Sequence, residues 1–270
     1  MTIRIFIFFI LINLFVFKIH GQSQYENIVF EGAGIKGIAY AGVIKGLKKN
    51  GILKNIKGIA GTSAGAITAM MLSIGYNSEK IYEIISSMKF QRFNQGRYGI
   101  VGGVNRMSNR YGWYRNDRFE KWIENVIEDK TGSSEITFEE LKEKGYKDLF
   151  LIATCLNKQE RVILSNDTYP KMKVKDGVKI SMSISLYFEA NFVDKEGRLY
   201  RNKKERAEKD IMVDGGIIGN FPIDIFDEIE IDLNGNKKRI VNYKTLGIRI
   251  DTDDQIENDK GLEPLEIKAL

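Results

Sequence analysis

Histidine occurs once in the 270 residues, as His20, cysteine once, as Cys155, and proline only three times. A lone cysteine cannot close an internal disulfide, and one Cys with one His cannot supply the ligands of a zinc site. His20 falls in a leader-like stretch, so a mechanism that needs a histidine base is excluded for the rest of the chain. Charge of one sign is also scarce: 41 Lys and Arg stand against 36 Asp and Glu, a net +5. That balance gives no argument for nucleic acid as a partner. What is present is an ordinary globular composition, 43% hydrophobic and 29% charged, at a length that suits one α/β domain. Disordered, collagen-like and coiled-coil classes are thereby excluded.

The first residues read as a targeting segment. Arg4 precedes an apolar run from Ile5 to Phe17, broken only by Asn13, and Lys18, Ile19, His20 and Gly21 follow. A helix over that run would reach about 20 Å, short of the roughly 30 Å hydrocarbon core of a bilayer. The pattern is that of a secretory signal over residues 1–21, with an uncleaved N-terminal anchor as the rival reading. Either makes the protein exported, secreted or periplasmic. Residues 1–21 contain Arg4 and Lys18 and no acid, so the chain without them carries +3.

Short strands alternate with helices along the remainder. Asn27 to Phe30 is β-like, Ile35 to Lys49 reads as a helix stopped by Asn50-Gly51, and Ile56 to Ala60 is a second strand before an apolar helix from Ala66. Asn77 opens a helix to Met88, Glu120 to Glu128 looks helical, and Thr137 with Glu140 has capping-box spacing. Asp148 to Cys155 is a buried-type strand, Val162 to Leu164 is placed to pair with it, and Ile211 to Val213 and Leu246 to Ile250 are further strands. The order predicts a mostly parallel sheet with helices on its faces. Glu196 to Asp210 reads as a solvated loop or hairpin tip. Leu262, Leu265, Ile267 and Leu270 look like the start of an amphipathic helix, which either closes the fold or marks the chain as a fragment, the reading preferred here.

Three glycine-rich sites carry the chemistry. Gly32-Ala33-Gly34-Ile35-Lys36-Gly37 joins a strand to a helix. A dinucleotide-binding turn would need an acid about 20 residues on, and no Asp or Glu stands between Gly32 and Ser78. The P-loop spacing fails as well. What remains is either a tight structural turn or a loop whose N–H groups face developing negative charge, an oxyanion hole. Gly61-Thr62-Ser63-Ala64-Gly65 fits G-x-S-x-G between a strand and an apolar helix, with Ser63 at the apex. A plain glycine-serine turn or helix cap is the alternative. With no later histidine, Ser63 needs a carboxylate or a lysine as base. Asp214-Gly215-Gly216 closes an apolar strand and can put a carboxylate at the sheet's edge, although Asp-Gly is also common in simple turns. Lys36 is the second candidate base.

In that order the three motifs resemble the patatin-like phospholipase family. Phe30-Glu31, Thr137-Phe138-Glu139-Glu140-Leu141, Ser181-Met182-Ser183-Ile184 and Asn220-Phe221-Pro222 support the resemblance, which runs from about Asn27 to Phe226. It implies a catalytic domain over 27–226, with 227–270 continuing it, as a three-layer α/β/α sandwich around a mostly parallel sheet. It further implies Ser63 as nucleophile, Asp214 as proton acceptor and Gly32 to Gly37 as the oxyanion loop. The activity implied is hydrolysis of lipid acyl esters through an acyl-enzyme, without metal or cofactor. Ala33 stands where many members have a third glycine, and Ser185 where proline is usual. An acyltransferase with the same residues and a non-catalytic lipid-binding relative are the alternatives.

Between Met88 and Arg118, Lys89, Arg92, Arg97, Arg106, Arg110, Arg115 and Arg118 face a single acid, Asp117, and six aromatics are interleaved, among them Tyr98 and Trp113. This stretch is either a solvated loop or a transient membrane interface. In the second reading Arg106, Arg110, Trp113 and Arg115 meet phospholipid headgroups.

Overall fold

The computed structural model describes residues 25–88, 90–96, 99–232 and 235–251. The leader over 1–21, Lys89, Arg97, Tyr98 and the expected C-terminal helix lie outside the described residues.

The strands are β1 (Asn27–Phe30), β2 (Gly58–Thr62), β3 (Gly112–Tyr114), β4 (Asp148–Cys155), β5 (Glu160–Leu164) and β6 (Leu186–Phe188). They continue with β7 (Asn191–Val193), β8 (Leu199–Tyr200), β9 (Asp210–Asp214), β10 (Glu228–Ile231), β11 (Lys237–Ile240) and β12 (Thr245–Ile248). The helices are α1 (Ala39–Lys49), α2 (Ala64–Ser73), α3 (Ser78–Ser87), α4 (Gly99–Arg110), α5 (Asp117–Thr131), α6 (Phe138–Glu143) and α7 (Val174–Ser181). The fold is α/β. Its central sheet runs β12-β1-β2-β4-β9-β7-β8, with β5 also on β4. From β12 to β4 every pairing is parallel; β5, β9, β7 and β8 join antiparallel.

Register decides what covers each face, because partners in a parallel ladder point the same way. Leu246, Ile28, Ile59 and Leu149 form one row and enter the main core with α1, α2, α5 and α7. The next row, Gly247, Val29, Ala60 and Phe150, points to the other face. There Phe226 packs edge-on against Phe150 at 5.1 Å, and a Cβ on Gly247 or Gly58 would run into Phe221 or Phe226. Small residues in this row let the aromatic loop after β9 lie flat on the sheet.

The helices start where the caps predict. Asn77 accepts from the Lys80 N–H at 2.8 Å, and Thr137 and Glu140 close a reciprocal capping box. Helix α2 is buried all round, as its mostly apolar composition requires, and Thr68 turns its hydroxyl back to the Ala64 carbonyl at 3.1 Å. Residues 34–38 form a 3-10 turn ahead of α1, so the expected helix begins later than its apolar pattern suggested. Helix α4 departs from the sequence expectation of a loop. It is held from outside, by Arg106 Nε donating to the Trp113 carbonyl at 2.7 Å and by Trp113 lying on Gly103. Among the described residues no helix is long and apolar enough to cross a membrane.

Candidate active site

Strand β4 brings the candidate residues together. β2 pairs with residues 148–152 of β4, β5 with 151–155 and β9 with 153–155. A strand has two edges, so β5 occupies one, and β2 and β9 share the other end to end. The last residue of β2, Thr62, lies opposite Ile152, and the last of β9, Asp214, lies opposite Ala153. The two chain segments thus run at each other and turn away at one point, where Ser63 and Asp214 meet.

Ser63 caps α2 with φ 53° and ψ −120°, a backbone conformation that costs a non-glycine residue about 1–3 kcal/mol. The close turn explains its glycine neighbours. A Cβ on Gly65 would lie 2.5 Å from the carbonyl oxygens of Phe30 and Glu31, and one on Gly61 would strike the backbone of Gly65. The Ser63 N–H donates to Ser181 Oγ at 3.1 Å, and its Oγ lies 3.6 Å from Met182 Sδ, a weak acceptor. The N–H groups of Ala64 and Gly65, in the first turn of α2, have no partner among the described residues.

Asp214 is 6% exposed and Ser63 8%. Burial pushes the Asp214 carboxyl above the ordinary carboxylate range, opposed by the Ser63 hydroxyl as a hydrogen-bond partner and by the Gly216 N–H at 2.7 Å. No cation pairs with Asp214 among the described residues. The Ser63 hydroxyl therefore has a buried carboxyl and a thioether as neighbours. Lys36, the other candidate base, is exposed.

The glycine loop is narrower as an anion site than its sequence suggested. The Gly32 N–H is spent on the Asn220 carbonyl at 3.0 Å, Lys36 donates to Ala33, and Gly37 lies inside the 3-10 turn with Ala64 against it. The N–H groups of Ala33, Gly34 and Ile35 keep no partner among the described residues. Gly34 has φ +53°, which favours glycine, whereas Ala33 has φ −127°, which any residue adopts. The replacement of a glycine at Ala33 is therefore free of backbone strain.

Sequence reasoning quoted Asn220 and the Ser181–Ile184 stretch without giving them roles. The Asn220 side chain donates to the Gly32 carbonyl at 3.1 Å and to Glu31 Oε1 at 3.2 Å, clamping the glycine loop to the segment after Asp214-Gly215-Gly216. Thr62 Oγ1 donates to the Gly219 carbonyl at 2.9 Å, a second tie between the two motifs. Ser183 accepts the Asp214 N–H on its carbonyl at 2.9 Å, while Asn116 and Asn191 both donate to its hydroxyl at 2.8 Å. Long-range contacts of this kind carry no local sequence signal.

The basic candidates are placed differently. Arg106 is tied to Trp113, Arg110 pairs with Glu189 at 2.8 Å, and Arg115 pairs with Asp117. Their connection to the Ser63–Asp214 region runs through Asn116 and Ser183. Among the described residues no cluster of His, Cys, Asp and Glu could hold a metal ion.

Comparison with known proteins identifies the family. The family model of patatin-like phospholipases matches residues 28–227. The chain is 33% identical over 241 residues to protein R571 of Acanthamoeba polyphaga mimivirus, covering 89% of this chain and 69% of that one. It is 29% identical over 220 residues to a protein of Invertebrate iridescent virus 6 named probable lipid hydrolase 463L, covering 80% and 68%. The crystal structure of VipD from Legionella pneumophila superposes with a TM-score of 0.54 at 16% identity, over 87% of this chain. This chain spans about half of VipD, 52% of its length, and the likeness is one of fold.

Proposed function

The chain belongs to the patatin-like phospholipase family, and from that premise we propose that it hydrolyses lipid acyl esters with Ser63 as nucleophile and Asp214 as its base. The observation that carries the reading is the meeting of a backbone-strained Ser63 with a buried Asp214 that no cation pairs among the described residues, in a chain with no histidine after residue 20.

The chemistry then follows from the neighbours of Ser63. Asp214 takes the Ser63 proton as Oγ attacks the ester carbonyl carbon, and the N–H groups of Ala33, Gly34 and Ile35 receive the oxyanion. Collapse of the tetrahedral species breaks the bond to the leaving alcohol, which takes the proton from Asp214. Water, deprotonated by Asp214, attacks the acyl-Ser63 ester; as the acyl–Oγ bond breaks, Asp214 returns the proton to Ser63 Oγ and the fatty acid leaves. The raised affinity of Asp214 for a proton suits this role, since a base works best with a pKa nearer the operating pH.

Apolar side chains next to each motif support a lipid surface as the working place. Ile35, 74% exposed, follows Gly34; Ile217, 54% exposed, and Ile218 follow Gly216; Ile184 and Leu186 follow Ser183 and are also exposed. Exposed aliphatics grouped on the loops that form a site mark an interaction surface. The basic start and apolar run of residues 1–21 support export.

The test incubates the purified protein with phospholipid vesicles and follows products by mass spectrometry. Free fatty acid and lysophospholipid appear with the native protein and not with Ser63→Ala. Transfer of the acyl chain to an added alcohol would redirect the reading to an acyltransferase. Equal fatty-acid release by Ser63→Ala would refute it.

A further inference from the structure

We infer that the chain carries a second site, apart from Ser63, which binds a phosphate group. It is a cavity of about 50 Å³ lined by Arg110 at the end of α4, Arg115, Lys179 of α7, Glu189, and Arg201 and Arg206 beyond β8. On this measure one water occupies about 10–15 Å³, so the space takes roughly four waters, about the bulk of a phosphate group.

The charges around it do not balance. Arg110 pairs with Glu189 at 2.8 Å, Lys179 with Glu120 at 2.8 Å, and Arg115 with Asp117. Arg201 shares Glu120 and Asp117, which are already committed. Three carboxylates thus serve four cations, and Arg206, the fifth, has no ion pair among the described residues. Arg206 is nevertheless held in place: Nη1 donates to the Asn109 carbonyl at 3.4 Å, Nη2 to the Arg201 carbonyl, and the guanidinium lies 4.4 Å over the Phe192 ring. Burial and the neighbouring Arg110 charge both act against its protonated form, with only Glu189 opposing. Among the described residues the Nε atoms of Arg206 and Arg115 and, on the acceptor side, Glu189 Oε1 and Asn116 Oδ1 are buried without a hydrogen-bond partner.

Five cations against three carboxylates around a space of this size fit a tetrahedral dianion, whose oxygens accept from arginine forks. A wider, more open cavity of about 280 Å³ shares Arg110, Arg115 and Glu189, and leaves room for whatever the phosphate is attached to. The ligand class is a phosphate monoester or inorganic phosphate. The inference does not depend on the ester chemistry at Ser63, although Asn116 and Asn191 of the same wall hold Ser183, which binds the Asp214 N–H.

The test is calorimetric titration of the full chain carrying Ser63→Ala with inorganic phosphate, against chloride at matched ionic strength. One phosphate binds per chain, and adding Arg206→Gln weakens binding about tenfold or more. Vesicles of phosphatidylcholine with phosphatidic acid separate the two sources. If phosphate competes with these vesicles the occupant is a lipid headgroup, and if it binds without competing the occupant is the free ion. Circular dichroism checks folding; should Arg206→Gln be unfolded, Arg206→Lys, which loses the fork and the Nε donor, is titrated in its place. Phosphate binding no tighter than chloride, or undiminished in the folded Arg206 variant, overturns the proposal.

Discussion

Replacing Asp214 by Asn should move activity and stability in opposite directions. Among the described residues the Asp214 carboxyl is buried, has no cation partner, and receives only the Gly216 N–H at 2.7 Å and the Ser63 hydroxyl. Its folded pKa is raised above its unfolded value of about 3.9. The folded chain therefore binds this proton more tightly than the unfolded chain does. Stability from the group is fully present below the unfolded value and is lost as pH rises through the folded one. The limiting slope is about 1.4 kcal/mol per pH unit between those two values. At neutral pH the native protein carries a buried carboxylate that Asn removes, while the Asn oxygen still accepts from Gly216. The Asn variant should unfold at higher urea than the native protein at pH 7, and the gap should close toward pH 4. Turnover should fall about 10²–10⁴-fold, the usual contribution of a general base. The assay pairs urea unfolding at several pH values with fatty-acid release at pH 7. Turnover within tenfold of native, or an earlier unfolding midpoint at pH 7, would refute the assignment.

Ser63→Gly should drop ester turnover to background while raising stability by about 1 kcal/mol, because glycine accepts φ 53° without strain; chemical unfolding reads the second effect. Asn220→Ala should lower kcat about 10–100-fold with KM nearly unchanged, because it frees the glycine loop at Gly32 and Glu31 without touching substrate; steady-state kinetics on a soluble ester would show it. Ile217→Ser with Ile218→Ser should weaken vesicle binding roughly 30-fold, about 2 kcal/mol for two half-exposed aliphatics, and spare soluble-ester turnover. Equal loss on both substrates would place these residues in the fold and not at the interface.

Much of this was readable from local pattern. The apolar strand Asp148–Cys155, the Thr137 capping box and the Ser63 turn are each set by a few neighbouring residues, and each stands where the sequence puts it. Which donors of the Gly32–Gly37 loop remain free was not readable, because Asn220 decides it from the far side of the chain. Helix α4 was missed for a similar reason. Its Gly99, Gly102 and Gly103 weaken any helical signal, and Trp113 and Arg106 hold it through contacts made elsewhere. The basic residues from Arg106 to Arg115 form a run in sequence, but Glu189, Lys179 and Arg206 around them come from distant segments.

The end-to-end meeting of β2 and β9 on one edge of β4 bears on when Ser63 and Asp214 come together. Ser63 is made early, while Asp214 lies more than half of the chain's length further on and reaches it only once β2 and β9 have both paired with β4. A nascent or partly folded chain therefore holds Ser63 apart from Asp214, and neither residue can find the other by local motion. The sheet itself serves as a delay. Under the proposed pairing of Ser63 with Asp214, ester turnover arrives only with the finished sheet.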